Sequence, residues 1–243
     1  MNIISIKGLH KNYITNKLSV PALRGINLEI SKGGFAAIAG PSGSGKTTLL
    51  NIIGGLDTST KGDVLVADAQ LNTMNARELS KLRLMKIGFI FQAYNLIPVL
   101  TALENVEYIL MLQGVDKNER RKRSLAVLKE VGLEKELHRL PKELSGGQQQ
   151  RVAVARAIVS EPEIILADEP TANLDQKTGA NLLDLMHSLN EKKGITFLFS
   201  THDQMVMDRA DRLIHLTDGK ISKEIRRKFK GVKKVTKKSK SKK

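Results

Sequence analysis

The sequence predicts an α/β protein built on a mostly parallel sheet, with a helical insertion near its middle. Two observations carry this expectation. Strands alternate with helices at both ends of the chain, and the strand cores Glu163–Asp168 and Thr196–Thr201 are compact and apolar, as strands covered on both faces are. From Thr101 to about Ser160, apolar residues instead recur at helical spacing.

Taken in order, Ile3–Gly8, Ile26–Ile30 and Phe35–Gly40 are short apolar or alternating runs separated by Gly, Ser and Lys, and each reads as a strand. Thr47–Gly54 turns helical, with Leu49, Leu50, Ile52 and Ile53 on one side. Gly62 and Asp63 open a strand over Val64–Ala67, and Ile87–Gln92 is strand-like again. Leu103, Val106, Ile109, Leu110 and Leu112 mark one helix, and Leu125, Leu128 and Val131 a second. Pro141 interrupts the pattern and a new helix begins near Ser145. A helix rich in Leu182, Leu183, Leu185, Met186 and Leu189 joins the last two strands. The expected organisation is one domain over residues 1–225, a helical subdomain at about 93–160 within it, and a basic tail over 226–243.

At 243 residues the chain can bury one sizeable core, and 41% apolar with 27% charged residues fits a soluble globular class. No run approaches the ~18 apolar residues of a membrane span. The stretch Met1–Lys7 lacks a charged region followed by a long apolar one, so a cytoplasmic protein is expected. The absence of cysteine excludes disulfides, thiol catalysis and cysteine metal sites.

The net charge of +15 is unevenly placed. Residues 226–243 hold eleven basic residues and no acid, leaving 29 basic against 25 acidic residues elsewhere, a balance of +4. Such a run reads as a solvated, self-repelling tail. Its alternative is attraction to anionic lipid, at about 1 kcal/mol per basic residue near the surface. Charge held in a tail rather than spread over a reading surface argues against nucleic acid as a partner.

Gly40-Pro41-Ser42-Gly43-Ser44-Gly45-Lys46-Thr47 matches the G-x-x-x-x-G-K-[ST] phosphate loop, with an apolar strand before it and a helix after it. The glycines let consecutive N–H groups converge on an anion, and the helix start adds partial positive charge. Lys46 is then expected to reach the terminal phosphates of ATP, and the Thr47 hydroxyl to hold Mg²⁺. The strand Glu163–Asp168 leads into two adjacent carboxylates, at the sheet end where ligands bind in α/β folds. Asp168 is the expected metal residue and Glu169 the expected base, a role worth about 10²–10⁴-fold in rate. His202 follows a third apolar strand, where it could contact the γ-phosphate.

Leu144-Ser145-Gly146-Gly147-Gln148 is the sharpest signal. Ser145 and Gln148 form a capping-box pattern, but a capping box does not need two glycines at its centre. The chain resembles the ABC ATPases, in which this is the signature motif, over about residues 1–222. The motifs run in family order. Tyr13 resembles the adenine-stacking aromatic, Gly40–Thr48 (with Thr48) the phosphate loop, and Gln92 the glutamine linking Mg²⁺ and water to the helical subdomain. Ala172-Asn173-Leu174-Asp175 resembles the loop that crosses to the partner subunit through Asp175, and His202 the switch histidine.

The resemblance implies a phosphate-loop nucleotide-binding domain with an N-terminal antiparallel β subdomain. It also implies ATP and Mg²⁺ as cofactors, and a head-to-tail dimer in which each signature covers the ATP of the opposite copy. An integral-membrane permease is the implied partner, with peripheral attachment to the inner membrane through it. The wording of Ile87–Gln92, Asn95–Pro98 and Leu100–Val106 is similar to the macrolide-exporter and lipoprotein-release ATPases. Ala172 stands where many members have glycine, and the basic tail is not a family feature. Tyr94, Leu96, Ile97 and Leu100 would form an apolar patch for the permease, or else pack internally. Two alternatives to export or lipoprotein release are carried. One is a cell-division relative that signals to a wall-hydrolase regulator, the other a nucleic-acid ATPase.

Overall fold

The computed structural model describes residues 1–15 and 18–227. Its strands are β1 (Asn2–Thr15), β2 (Leu18–Ser31), β3 (Phe35–Ala39), β4 (Lys61–Val66), β5 (Ala69–Gln70), β6 (Ile87–Ile90), β7 (Ile164–Asp168), β8 (Thr196–Thr201), β9 (Arg212–Thr217) and β10 (Lys220–Arg226). Its helices are α1 (Lys46–Ile53), α2 (Ala76–Lys86), α3 (Ala102–Leu112), α4 (Lys117–Glu130), α5 (Gly146–Ile158), α6 (Gln176–Lys193) and α7 (Gln204–Arg209).

The strands form two sheets. The first has the order β2-β1-β4-β5 and is antiparallel throughout, with Ile4 opposite Ile30 and Leu9 opposite Ile26. The second has the order β10-β9-β3-β8-β7-β6, parallel except for β10 at its edge. Helices α3, α4 and α5 fall between β6 and β7. This is the expected α/β phosphate-loop class, with its antiparallel N-terminal sheet.

Alternation along the buried parallel strands divides the core in two. Phe35, Ala37, Ile165, Phe197 and Phe199 face one side, where they meet Val106, Val154 and Leu182 of the helices. Ala36, Ile38, Ile164 and Leu198 face the other, against Leu49 and Ile53 of α1 and Ile6 and Ile30 of the antiparallel sheet. Each Phe, Leu, Ile or Val among them contributes about 1.5–3 kcal/mol over its exposed state. A sheet covered on both faces therefore gives its strand ends a rigid platform. Helix α5 lies directly on the edge strand β6, where a methyl group on Gly88 would come within 2.6 Å of the Ala157 carbonyl oxygen.

Five elements are absent from the sequence expectation: α2, α7, β5, β9 and β10. Helix α2 buries only Leu82 and so shows little periodicity, although Asn75 and Glu78 close a capping box at its start. Strands β1 and β2 run well past Ile3–Gly8 and Ile26–Ile30. Their outer halves pair with each other while leaving Ile14, Leu18 and Val20 exposed. Among the described residues no helix is long and apolar enough to cross a membrane. The lysine-rich run beyond Arg227 lies outside the described residues, as do the readings of its partners.

Candidate active site

The loop from Gly40 to Gly45 connects fully buried β3 to the start of α1. It is tightly held. A methyl group on Gly40 would sit 2.1 Å from the Leu216 carbonyl oxygen, so no Cβ fits there. The Gly219 N–H donates to the Ser44 carbonyl at 3.1 Å, which ties the loop to the β9–β10 turn. Gly45, with φ of 101°, is the N-cap of α1 and brings no side-chain cap. The first N–H groups of the helix are thereby left for an anion. Lys46 is buried, and its Nζ donates to the carbonyls of Gly40 (2.8 Å) and Pro41 (3.0 Å).

The ends of the parallel strands bring in the rest. Asp168 closes β7, and the Thr47 hydroxyl donates to its Oδ2 at 3.2 Å. Glu169, the next residue, has a left-handed backbone (φ 46°). Its Oε1 lies 2.7 Å from His202 Nδ1 and accepts the His202 N–H at 3.2 Å, and its Oε2 accepts the Thr201 hydroxyl at 3.1 Å. A cleft of about 550 Å³ opens over the loop. Pro41, Ser42, Gly43, Gly45, Lys46, Thr47 and Thr48 line it together with Ala22, which sequence reasoning missed. Gln92, Glu169 and His202 line it from beyond the carboxyl ends of β6, β7 and β8.

Tyr13 is not among the residues lining this cleft. Its hydroxyl donates to Asp57 Oδ2 at 2.7 Å, and the Lys11 ammonium stands 4.8 Å from its ring centroid. Burial and the hydrogen bond to Asp57 raise the phenol above its ordinary range, against a lowering contact with Thr48. Burial pushes the Asp57 carboxyl up, but the hydrogen bonds from Lys11 and Tyr13 outweigh it and hold the group below its usual value. Lys11 and Asp57 thus fix Tyr13 beside α1. Neither carries a motif, and only their hydrogen bonds expose the role.

The residues Ser145–Gln148 lie outside the cleft of their own chain. Ser145 caps α5 by accepting the Gln148 N–H at 3.3 Å, and its own N–H donates to Gln148 Oε1 at 2.9 Å. The glycines make room for neighbours: a methyl on Gly147 would stand 2.5 Å from Thr178 Cγ2. Asp175 caps α6, accepting the N–H groups of Lys177 and Thr178 at 3.0 Å each. The Thr178 side chain and these backbone donors keep its carboxyl below the usual range. Signature and crossing loop are therefore neighbours, both apart from the phosphate loop. The Asn173 amide donates to the Gln92 carbonyl at 2.9 Å, joining that loop to the cleft.

A second, apolar groove of about 350 Å³ lies between α2, β6 and α3, with Leu84, Phe89, Phe91 and Ile97 among its lining. Of the four residues expected to form an apolar patch, Ile97 lines it. Leu96 packs instead against the core beneath the helices.

Comparison with known proteins agrees with this fold. The family described as ABC transporter matches residues 23–172. An uncharacterized ABC transporter ATP-binding protein of Methanocaldococcus jannaschii is 48% identical over 91% of this chain and 96% of its own. Its dimeric structure in a post-hydrolysis state bound to ADP and Pi superposes with a TM-score of 0.85 at 47% identity, covering 92% of this chain and 98% of that one. The lipoprotein-releasing system ATP-binding protein LolD of Alcanivorax borkumensis is 44% identical over 89% of this chain and 95% of its own. The macrolide export ATP-binding/permease protein MacB of Brucella melitensis is 47% identical over 90% of this chain but only 34% of its own length. The chain belongs to the ABC transporter family, as an ATP-binding subunit that hydrolyses ATP.

Proposed function

We propose that two copies of this chain close around two ATP molecules and drive a membrane permease, for lipoprotein release or for export of peptides or drugs. The observation that carries this reading is the Thr47 hydroxyl 3.2 Å from Asp168, beside a cleft that Lys46, Gln92, Glu169 and His202 share. Lys46 exchanges its two loop carbonyls for phosphate oxygens when ATP enters. Tyr13 stacks on adenine from outside the lining of the cleft. Glu169 orients and deprotonates the attacking water, with His202 holding the carboxylate.

Among the described residues no three of His, Cys, Asp and Glu gather as a metal cage. The single carboxylate of Asp168, with Thr47 and Gln92, instead fits Mg²⁺, which is usually held through one or two carboxylates and fills its shell from water and phosphate. When bound, the ion would neutralise charge on the phosphates undergoing transfer.

Ser145–Gln148 and Asp175 do not line the cleft of their own copy, which supports their service to the ATP of a second copy. The dimeric, ADP-bound form of the M. jannaschii cassette supports the same arrangement. The apolar groove beside Gln92 suits a helix of the permease, and attachment to the membrane is then peripheral. The names of LolD and MacB support the choice of pathway. Size-exclusion chromatography of Glu169→Gln with ATP tests the engine. A dimer is expected, and a species that stays monomeric with its permease present would sink the proposal. A mild-detergent pull-down from the native host identifies the permease.

A further inference from the structure

Two successive non-glycine residues with left-handed backbone stand just beyond Gln92: Tyr94 (φ 60°) and Asn95 (φ 49°). L side chains rarely adopt this conformation, so the surroundings must impose it. Within the turn the Tyr94 N–H donates to the Phe91 carbonyl (3.1 Å) and the Asn95 N–H to the Ala93 carbonyl (2.6 Å), and from outside one guanidinium braces it. Arg156, on α5, donates through Nη2 to the Tyr94 carbonyl (2.8 Å) and through Nη1 to the Asn95 carbonyl (2.5 Å). Its rigid planar fork matches two adjacent acceptors, which a lysine ammonium on a flexible stem does not. The partly buried cation spends these bonds on backbone carbonyls, and burial holds its pKa below the ordinary range.

The same helix touches the same segment again at its other end. A methyl on Gly146 would come within 2.9 Å of the Tyr94 hydroxyl. Arg156 and Asn95 also line the apolar groove, whereas Gln92 lines the nucleotide cleft. Phe91 and Asn95 of the groove thus flank Gln92 of the cleft on one short segment, and both ends of α5 meet that segment at Tyr94 and Asn95.

We propose that Arg156 is a positioning residue for ATP hydrolysis: its clamp on the Tyr94 and Asn95 carbonyls sets the reach of Gln92 into the cleft. A segment seated in the groove then acts on the cleft through this guanidinium. The inference rests on the assignment of Gln92 to the site. A simpler role is a cation in the last turn of α5 that complements the helix dipole, and lysine would serve that role equally well.

The test is a double-mutant cycle on the full chain with Arg156→Lys, Gln92→Ala and the pair. Arg156→Lys is expected to lower kcat by about 10–100-fold, with ATP affinity within about twofold of wild type. The double variant is expected to be no slower than the slower single one, because both changes remove the same contribution. Hydrogen exchange of the nucleotide-free chain supplies a readout without turnover. The amides of 94–97 are expected to exchange about tenfold faster in Arg156→Lys, with β7 and α6 unchanged. Should the lysine variant fail to fold, Arg156→Gln runs the same cycle. Additive losses, or a wild-type kcat in Arg156→Lys beside an impaired Gln92→Ala, overturn the clamp. A wild-type kcat in Gln92→Ala overturns the assignment beneath it, and the clamp with it.

Discussion

His202 Nδ1 stands 2.7 Å from Glu169 Oε1, and the backbone N–H of the same histidine donates to the same oxygen at 3.2 Å. With the Thr201 hydroxyl on Oε2, the carboxylate is held from both sides although its own backbone is left-handed. Removal of the imidazole leaves the other two donors in place. His202→Ala is accordingly expected to lower kcat by about 10²-fold without weakening ATP binding by more than a few-fold. Single-turnover hydrolysis and nucleotide titration separate the two quantities. An unchanged single-turnover rate would remove His202 from the reaction.

The 2.5 Å approach predicted for a methyl at position 147 makes Gly147→Ala an overpacking change between α5 and α6. A cost of about 1–3 kcal/mol is expected, reduced by the better helix propensity of alanine. Thr178→Ser deletes the obstructing Cγ2 and is expected to restore the urea midpoint in the double variant. No recovery would mean that the clash is relieved elsewhere.

Asn105 is fully buried on α3 and satisfies four backbone groups, accepting the Ile97 N–H at 2.8 Å and donating to the carbonyls of Ile97, Leu100 and Thr101. Asn105→Leu keeps the branched outline but takes the side-chain partner from the Ile97 N–H and the Leu100 carbonyl, whereas the carbonyls of Ile97 and Thr101 keep the N–H groups of Leu100 and Asn105. A loss of about 1–3 kcal/mol is expected, together with faster hydrogen exchange at Ile97. Wild-type protection there would show that the loop holds its shape unaided.

Glu163 bridges Lys86 and Lys32, each ammonium 3.0 Å from one of its oxygens. The hydrogen bonds from Lys86 and then Lys32 lower its pKa from the ordinary 4.5, against the opposing effect of burial. A carboxylate with a depressed folded-state pKa contributes stability above its unfolded value and loses it as pH falls through the folded one. Glu163→Gln is expected to cost about 0.2–1 kcal/mol at pH 7, and less at about pH 3.5. A cost that is constant or larger in acid contradicts the pairing.

The parts of the fold legible in the sequence were those whose local signal and tertiary role coincide. The strands β7 and β8 are buried on both faces and read as unbroken apolar runs. The phosphate loop and the Ser145–Gln148 turn need glycine at fixed positions, so their letters carry their geometry. What escaped was set by distant partners. Helix α2 packs through one leucine, and Arg156 looks like any arginine on an amphipathic helix until its two acceptors, sixty residues earlier, fold back to meet it. Tyr13 is singled out only by resemblance, and its tether through Asp57 and Lys11 spans over forty residues and leaves no local trace.

The backbone-to-backbone seating of α5 on β6 at Gly88 and Ala157 fixes one end of that helix to the sheet margin. With no side chain between them, this contact would be the pivot of any tilt of α5. Its opposite end, at Ser145, lies twelve residues away, roughly 18 Å at 1.5 Å per residue. A rotation of about 10° at the pivot would carry Ser145 through roughly 3 Å, the length of one hydrogen bond. The helix is in effect a lever whose stroke is fixed by its length.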